Sequence, residues 1–399
     1  MVSRKSFLGA LSAGPLSILA PSLLPNAARA AGEGEASWDK IAILVELKGG
    51  NDGLNTVVPY RDPLYKQFRP NLALGKDEVL QLDENLGLHP ALEGVFGAWK
   101  KDEVALALGC GYQKPNRSHF RSIDIWNTAA NSDQHLGEGW ISRVFATTRR
   151  PQEFMADGVV LGQGDAGPMR GGGMRSVVMR NPHEFVELGQ DAQEGMQAAP
   201  IGALGHLLGV ENDLARAVRT LKAQMAKSPK LDTIFPNTGF GKQMKTATEL
   251  ISSGIPLAVI KVAQGGYDTH AGQGNRHRNL LSELDGGLSA FRAAMQEIGA
   301  WNRVIVMTYS EFGRRVKENG SAGTDHGTAA PHFFMGGKVK GGIFGEQPKL
   351  DDLGNGDLKY SMDYRSLYET LTRRWWNLPS HFTNPKDKDK IVALDCIRA

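Results

Sequence analysis

The feature that most restricts the fold is a pattern that recurs four times: a short aliphatic run that breaks into a cluster of glycine and polar residues. Ile41-Ala42-Ile43-Leu44-Val45 leads into Gly49-Gly50-Asn51-Asp52-Gly53. Val104-Ala105-Leu106-Ala107-Leu108 leads into PNRSHFRSID, Pro115 to Asp124. Pro256 to Val262 leads into Gly265-Gly266-Tyr267-Asp268-Thr269-His270, and Val304-Ile305-Val306-Met307 into Ser310-Glu311-Phe312-Gly313-Arg314. Continuous apolar runs of this length read as strands covered on both faces, as in parallel sheets. Helical spacing fills the gaps: Leu92, Val95, Phe96 and Trp99 share one face between Pro90 and Lys100, a long helix is expected over 275–300, and another over 364–376. Strand, helix and strand in this order predict parallel crossovers and an α/β domain. In such sheets ligands bind outside the carboxyl ends of the strands, so the four clusters are expected on one rim.

Of 46 Lys and Arg residues, Arg4, Lys5 and Arg29 lie in the first thirty positions, which hold no acid; the remaining 43 balance the 43 Asp and Glu. Such a neutral chain gives little electrostatic reason to bind nucleic acid or an anionic membrane. The order Ser3-Arg4-Lys5-Ser6-Phe7-Leu8, an uncharged stretch over 6–28 and Ala28-Arg29-Ala30 read as an export signal over residues 1–30. It resembles a twin-arginine signal whose second Arg has become Lys. Pro15, Pro21 and Pro25 make the stretch a poor membrane span. The mature chain, 31–399, reads as one domain in the periplasm, the cell envelope or the medium, with a Gly-rich insertion or cap at about 137–239 that holds one helix over 212–225. Cys110 and Cys396 are either buried thiols or a disulfide pair.

Each cluster admits a chemical and a structural reading. Asp52 on its Gly-rich turn can reach a divalent cation, or it is simply part of a turn. Ser118 falls in the first turn of a helix, where it is either a nucleophile or a capping hydroxyl. Arg117 and Arg121 can clamp an anion there. His119 is a poor base for Ser118, because adjacent residues on a helix do not face each other. Asp268 and His270, two apart on an extended strand end, can meet one metal. Glu311 emerges from a core strand and either joins that shell or pairs with Arg314 or Arg315, while Asp325 and His326 follow on a glycine-rich loop. Gly162 to Gly167 spells a dinucleotide fingerprint, but Pro168 follows instead of a helix, and no phosphate loop of the NTPase kind occurs.

KGGNDGLNTVVP (Lys48 to Pro59), Gly87-Leu88-His89-Pro90, PNRSHFRSIDIW (Pro115 to Trp126), Gly266 to His270, Ser310 to Arg314 and GTDHGTAAP (Gly323 to Pro331) together resemble the exported bacterial family called domain of unknown function (DUF) 1501. That family is grouped with the alkaline phosphatase and sulfatase superfamily. The resemblance implies an alkaline phosphatase-like three-layer α/β sandwich with a mainly parallel sheet and metals at the strand ends. It places Asp52 as first-strand metal ligand, Ser118 as nucleophile with Arg117 and Arg121 beside it, and Asp268, His270, Glu311, Asp325 and His326 around divalent metal, whether zinc, magnesium, manganese or calcium. Phe312 stands where the superfamily keeps a His, so one metal, or none, rather than two is an option. The expected activity is metal-assisted hydrolysis of a phosphate-type ester; the alternative is a catalytically silent envelope protein that keeps the fold for binding or assembly.

Overall fold

In a computed structural model, residues 17–19, 36–154, 156–162, 164–172, 174–189, 215–382 and 391–398 are described. The expected export signal lies outside them except for Ser17–Leu19. The apolar runs become strands Ile41–Lys48 (β1), Val104–Gly111 (β2), Val259–Gly265 (β5) and Val304–Tyr309 (β6) of one sheet. The others are Gly158–Leu161 (β3), Ser176–Met179 (β4), Ala330–Met335 (β7), Gly342–Phe344 (β8) and Met362–Asp363 (β9). The order across the sheet is β4-β3-β5-β1-β6-β7-β2-β8, with Ser17–Leu19 beside β4 and β9 beside β2. From β4 to β6 every pairing is parallel; β7 runs antiparallel to both of its neighbours, β6 and β2.

Alternation along β1 builds two cores. Ile41, Ile43, Val45 and Leu47 pack on one side with helices Glu93–Trp99 (α1), Gly239–Ser252 (α4) and Gln273–Glu297 (α5). Ala42 and Leu44 face the opposite core, formed with His119–Thr128 (α2), Trp140–Ala146 (α3) and Arg365–Glu369 (α6), which continues as a π-helical Thr370–Trp375. Two apolar faces of a twisted parallel sheet can only be buried in this way, so the chain is a three-layer α/β sandwich with a largely parallel sheet.

Two expectations change, and one alternative is decided. β1 and β2 point the same way but are not neighbours, because β5 and β6 already hold both edges of β1. The stretch expected as an insertion is in part built into the sheet: β3 and β4 extend it by parallel pairing with β5, and its helix is described over 215–225. Cys110 and Cys396 are free and buried, two small apolar groups in one core rather than a bridge. No helix among the described residues is long and apolar enough to cross a membrane.

Candidate metal centre

Four loops meet at the carboxyl ends of β1, β2, β5 and β6. Buried Arg314, on the loop between β6 and β7, fastens three of them. Its guanidinium donates to Gly50 O (2.7 Å), Thr324 O (3.0 Å), Tyr267 O (2.8 Å), Gly49 O and Asp268 Oδ1 (2.6 Å). Gly49 has φ of 115°, and a Cβ there would run into the backbone nitrogen of Asp268, so only glycine lets these loops touch. The fourth loop, ahead of α2, is tied down by Ser122, whose hydroxyl donates to Glu311 O and lies 2.7 Å from Tyr112 OH.

This packing brings three histidines onto one carboxylate. His270 Nε2 is 3.0 Å from Asp268 Oδ1, His326 Nε2 is 3.1 Å from the same oxygen, and His119 Nε2 is 3.4 Å from Asp268 Oδ2. His270 and His326 approach each other to 3.0 Å through their Nε2 atoms. The opposite nitrogen of each ring has its own partner: His119 Nδ1 is 2.8 Å from Glu311 Oε1, His270 Nδ1 is 3.1 Å from Asp325 Oδ1, and His326 Nδ1 is 2.8 Å from Arg117 O. A carbonyl and an ionised carboxylate only accept, so each Nδ1 carries a hydrogen, and each Nε2 is the nitrogen left to face Asp268, as a donor when protonated and as a lone pair when not. Phe312 packs on the rings of His119 and His326, with centroids 4.9 and 4.6 Å away.

The electrostatics follow the contacts. Burial raises the Asp268 carboxyl, but Arg314, His326 and His270 outweigh it and bring it down to about 2. The Glu311 hydrogen bond lifts His119 above the ordinary histidine value against the effect of burial. His270 holds the Asp325 carboxyl below the usual range. Asp268 and His270 are 46% and 45% exposed, so the group is open to solvent.

The donor set fits one divalent cation. Imidazole lone pairs and a carboxylate converging at 3.0–3.4 Å repel one another unless a proton or a cation lies among them. His119, Asp268 and His326 alone place one ligand atom each within 4.8 Å of one another.

Of the residues expected at the site, Asp268, His270 and His326 converge. Glu311 and Asp325 stand one shell behind, each holding a histidine proton; Glu311 also accepts from the Gly49 amide at 2.8 Å. Asp52 is elsewhere. It is fully buried, 2.6 Å from Arg69 NH1, and accepts from Gln273 Nε2. Burial would raise its carboxyl, yet Arg69 holds it below the usual value, so its charge is met by a guanidinium of the chain itself. Arg121 turns away to pair with Asp124 (2.6 Å) and to bind the carbonyls of Ser132 and Gln134. Ser118 is the exposed N-cap of α2, makes no side-chain capping bond, and follows Arg117. His119 is the residue that sequence reasoning missed. In sequence it reads only as a poor base for Ser118, whereas its position after a buried strand, like that of His270, is the available signal.

Among solved structures the chain is similar to Ps i-CgsB in complex with k-i-k-neocarrahexaose, at 8% identity and TM-score 0.42, covering 89% of this chain and 75% of that one. It is similar to the zinc complex of the C-terminal periplasmic domain of EcEptC from Escherichia coli, at 10% identity and TM-score 0.42, covering 91% and 87%. A protein in the alkaline phosphatase superfamily from Vibrio parahaemolyticus is similar at 10% identity and TM-score 0.39, covering 86% and 67%. No curated protein matches it by sequence. Residues 39–385 match the model described as protein of unknown function (DUF1501), and the chain belongs to that family.

Proposed function

We propose that the chain is an exported, metal-assisted hydrolase of a phosphate-type ester, with one cation held by His119, His270, His326 and Asp268. The observation that carries this reading is the 3.0 Å approach of the His270 and His326 Nε2 atoms, both aimed at Asp268 while their Nδ1 hydrogens are engaged elsewhere. A bound divalent cation such as zinc supplies Lewis-acid polarisation of an ester oxygen and lowers the pKa of a nearby hydroxyl or water. The protein supplies the rest. Glu311 and Asp325 keep the protons of His119 and His270 on the far side of their rings. Ser118 offers an exposed hydroxyl at the start of α2, where the first backbone amides lack helical acceptors and the dipole favours an oxyanion. Arg117, just before Ser118 and 3.1 Å from Asp357 Oδ2 through NH1, adds a positive charge for the transferred group. The first thirty residues act as the export signal, which places the activity outside the cytoplasm.

One observation favours the silent alternative: Arg314 already lies 2.6 Å from Asp268 Oδ1, so part of the carboxylate's charge is neutralised without a metal. Metal analysis of the mature protein, with turnover of 4-nitrophenyl phosphate before and after chelation, decides between them. The hydrolase is expected to hold one metal per chain and to lose turnover with chelator and in His326→Ala. Absence of metal and of turnover in both parent and variant transfers the assignment to the silent protein.

A further inference from the structure

Beside the histidine cluster lies a cavity of about 630 Å³, a volume within the range of about 300–1,000 Å³ common to small-molecule sites. The two spaces share a wall: the Phe312 ring packs on His119 and His326 and also lines the cavity. Arg117 belongs to both as well, since it lines the cavity while its carbonyl lies 2.8 Å from His326 Nδ1. The other walls are mainly rings and aliphatic carbon from Tyr112, Trp126, Leu358 and Tyr360. One side is the short hairpin Leu353–Leu358, with φ of 54° at Asn355 and 81° at Gly356, as a two-residue turn requires. Two bonds hold the hairpin in place: Thr328 Oγ1 donates to Leu358 O at 2.5 Å and Arg315 NH1 to Asn355 O at 3.2 Å.

The charges here are met within the protein. Arg117 pairs with Asp357 at 3.1 Å and Lys359 with Asp352, while exposed Lys114 also lines the adjoining hollow that holds Asp133. What the cavity offers a ligand is therefore ring surface rather than charge. Walls of this kind return little for the hydration stripped from an ion or a polyol, but a flat ring gains both from leaving water and from edge or offset contact with other rings. We propose that the cavity binds a neutral aromatic ring, and that the ester cleaved at the histidines is an aryl ester whose phenolic half lies there. Water adds across its phosphorus–oxygen bond, the hydroxyl going to phosphorus and the proton to the departing phenolate. The second clause rests on the hydrolase reading; the ring site stands without it.

Binding tests the site without turnover. Isothermal titration of the mature protein with 2-naphthol is compared with methyl glucoside, a hydroxylated ring. Binding is expected for naphthol alone, weakened at least tenfold in Tyr360→Ala and less than twofold in Tyr360→Phe, which keeps the ring. Phe120→Ala removes a ring that is 89% exposed and outside the cavity lining, and is expected to change binding less than twofold. No binding of naphthol, equal binding of the glucoside, unchanged binding in Tyr360→Ala, or equal weakening in Phe120→Ala overturns the proposal. Naphthol binding without hydrolysis of naphthyl phosphate keeps the ring site and removes only the hydrolase, whereas hydrolysis without naphthol binding does the reverse.

Discussion

Asp52 and Asp268 begin from the same circumstances: each is a carboxylate on a glycine-rich turn just beyond a buried strand, β1 for one and β5 for the other. Their fates are opposite. Asp52 is sealed under Arg69, Gln273 and buried His277, while Asp268 lies open to solvent among three imidazoles. Position on the rim of a parallel sheet therefore makes a carboxylate available, and the partner that arrives first in space decides its use. At Asp52 the partner is a fixed cation of the chain, so the residue locks loops together: Arg69 also donates to Asn55 Oδ1, Val316 O and Arg315 O at 2.7–2.8 Å. Asp268 also meets a fixed cation, Arg314 at 2.6 Å from Oδ1, but its other neighbours are three imidazoles and it stays open to solvent, which leaves room for a cation from outside.

The comparison breaks most visibly at Arg69. Arg69→Met leaves the Asp52 carboxylate buried without its counter-charge, and urea unfolding is expected to show a loss of about 3–5 kcal/mol, the range for halving a buried pair. The metal content of the folded fraction should stay at the parent value; loss of metal would show that the two corners form one site. Glu311→Gln acts on the other corner. It keeps a hydrogen-bond acceptor for His119 Nδ1 but removes the charge, and chelator competition is expected to show metal affinity down by roughly 10–100-fold. Complete loss of binding would instead make Glu311 a direct ligand.

A third effect is the pH dependence of the buried corner. Burial lowers His277 to about 4 and His89 to about 3, and their rings lie 5.9 Å apart. Both fold as neutral imidazoles, whereas in the unfolded chain they take up protons near pH 6.5. Below that pH the unfolded state binds more protons, so stability is complete above about 6.5 and declines as pH falls toward 4, by up to about 1.4 kcal/mol per unit for each histidine. Urea midpoints at pH 7.5, 6 and 5 should fall in that order, less steeply in His277→Gln. A flat series would mean that these rings take up protons in the folded protein as readily as in the unfolded chain.

Some of this was legible along the chain. The aliphatic runs at 41–45, 104–108 and 304–307 marked strands, because only strands with both faces covered tolerate such continuity. The pair Asp268 and His270 was readable from strand periodicity. Other features were hidden. Lys261 and Glu46 sit inside central strands as a buried pair 2.8 Å apart, and nothing about either residue in sequence announces the other. β7 intrudes antiparallel between β6 and β2, an order that local patterning does not encode. His119 shows in sequence only its neighbour Ser118, although its partners in the fold are Glu311, Asp268 and His326, roughly 150 to 200 positions away.

The sequence by itself determined the layered α/β class, the rim on which polar loops gather, and the kinds of side chain found there, because periodicity and turn chemistry are local properties of the chain. Only the tertiary structure decided that Arg69 takes Asp52, that Arg314 pins three loops, and that three imidazoles turn the same nitrogen inward. Those outcomes depend on distances across folded space, where a few ångströms separate a salt bridge from a metal ligand.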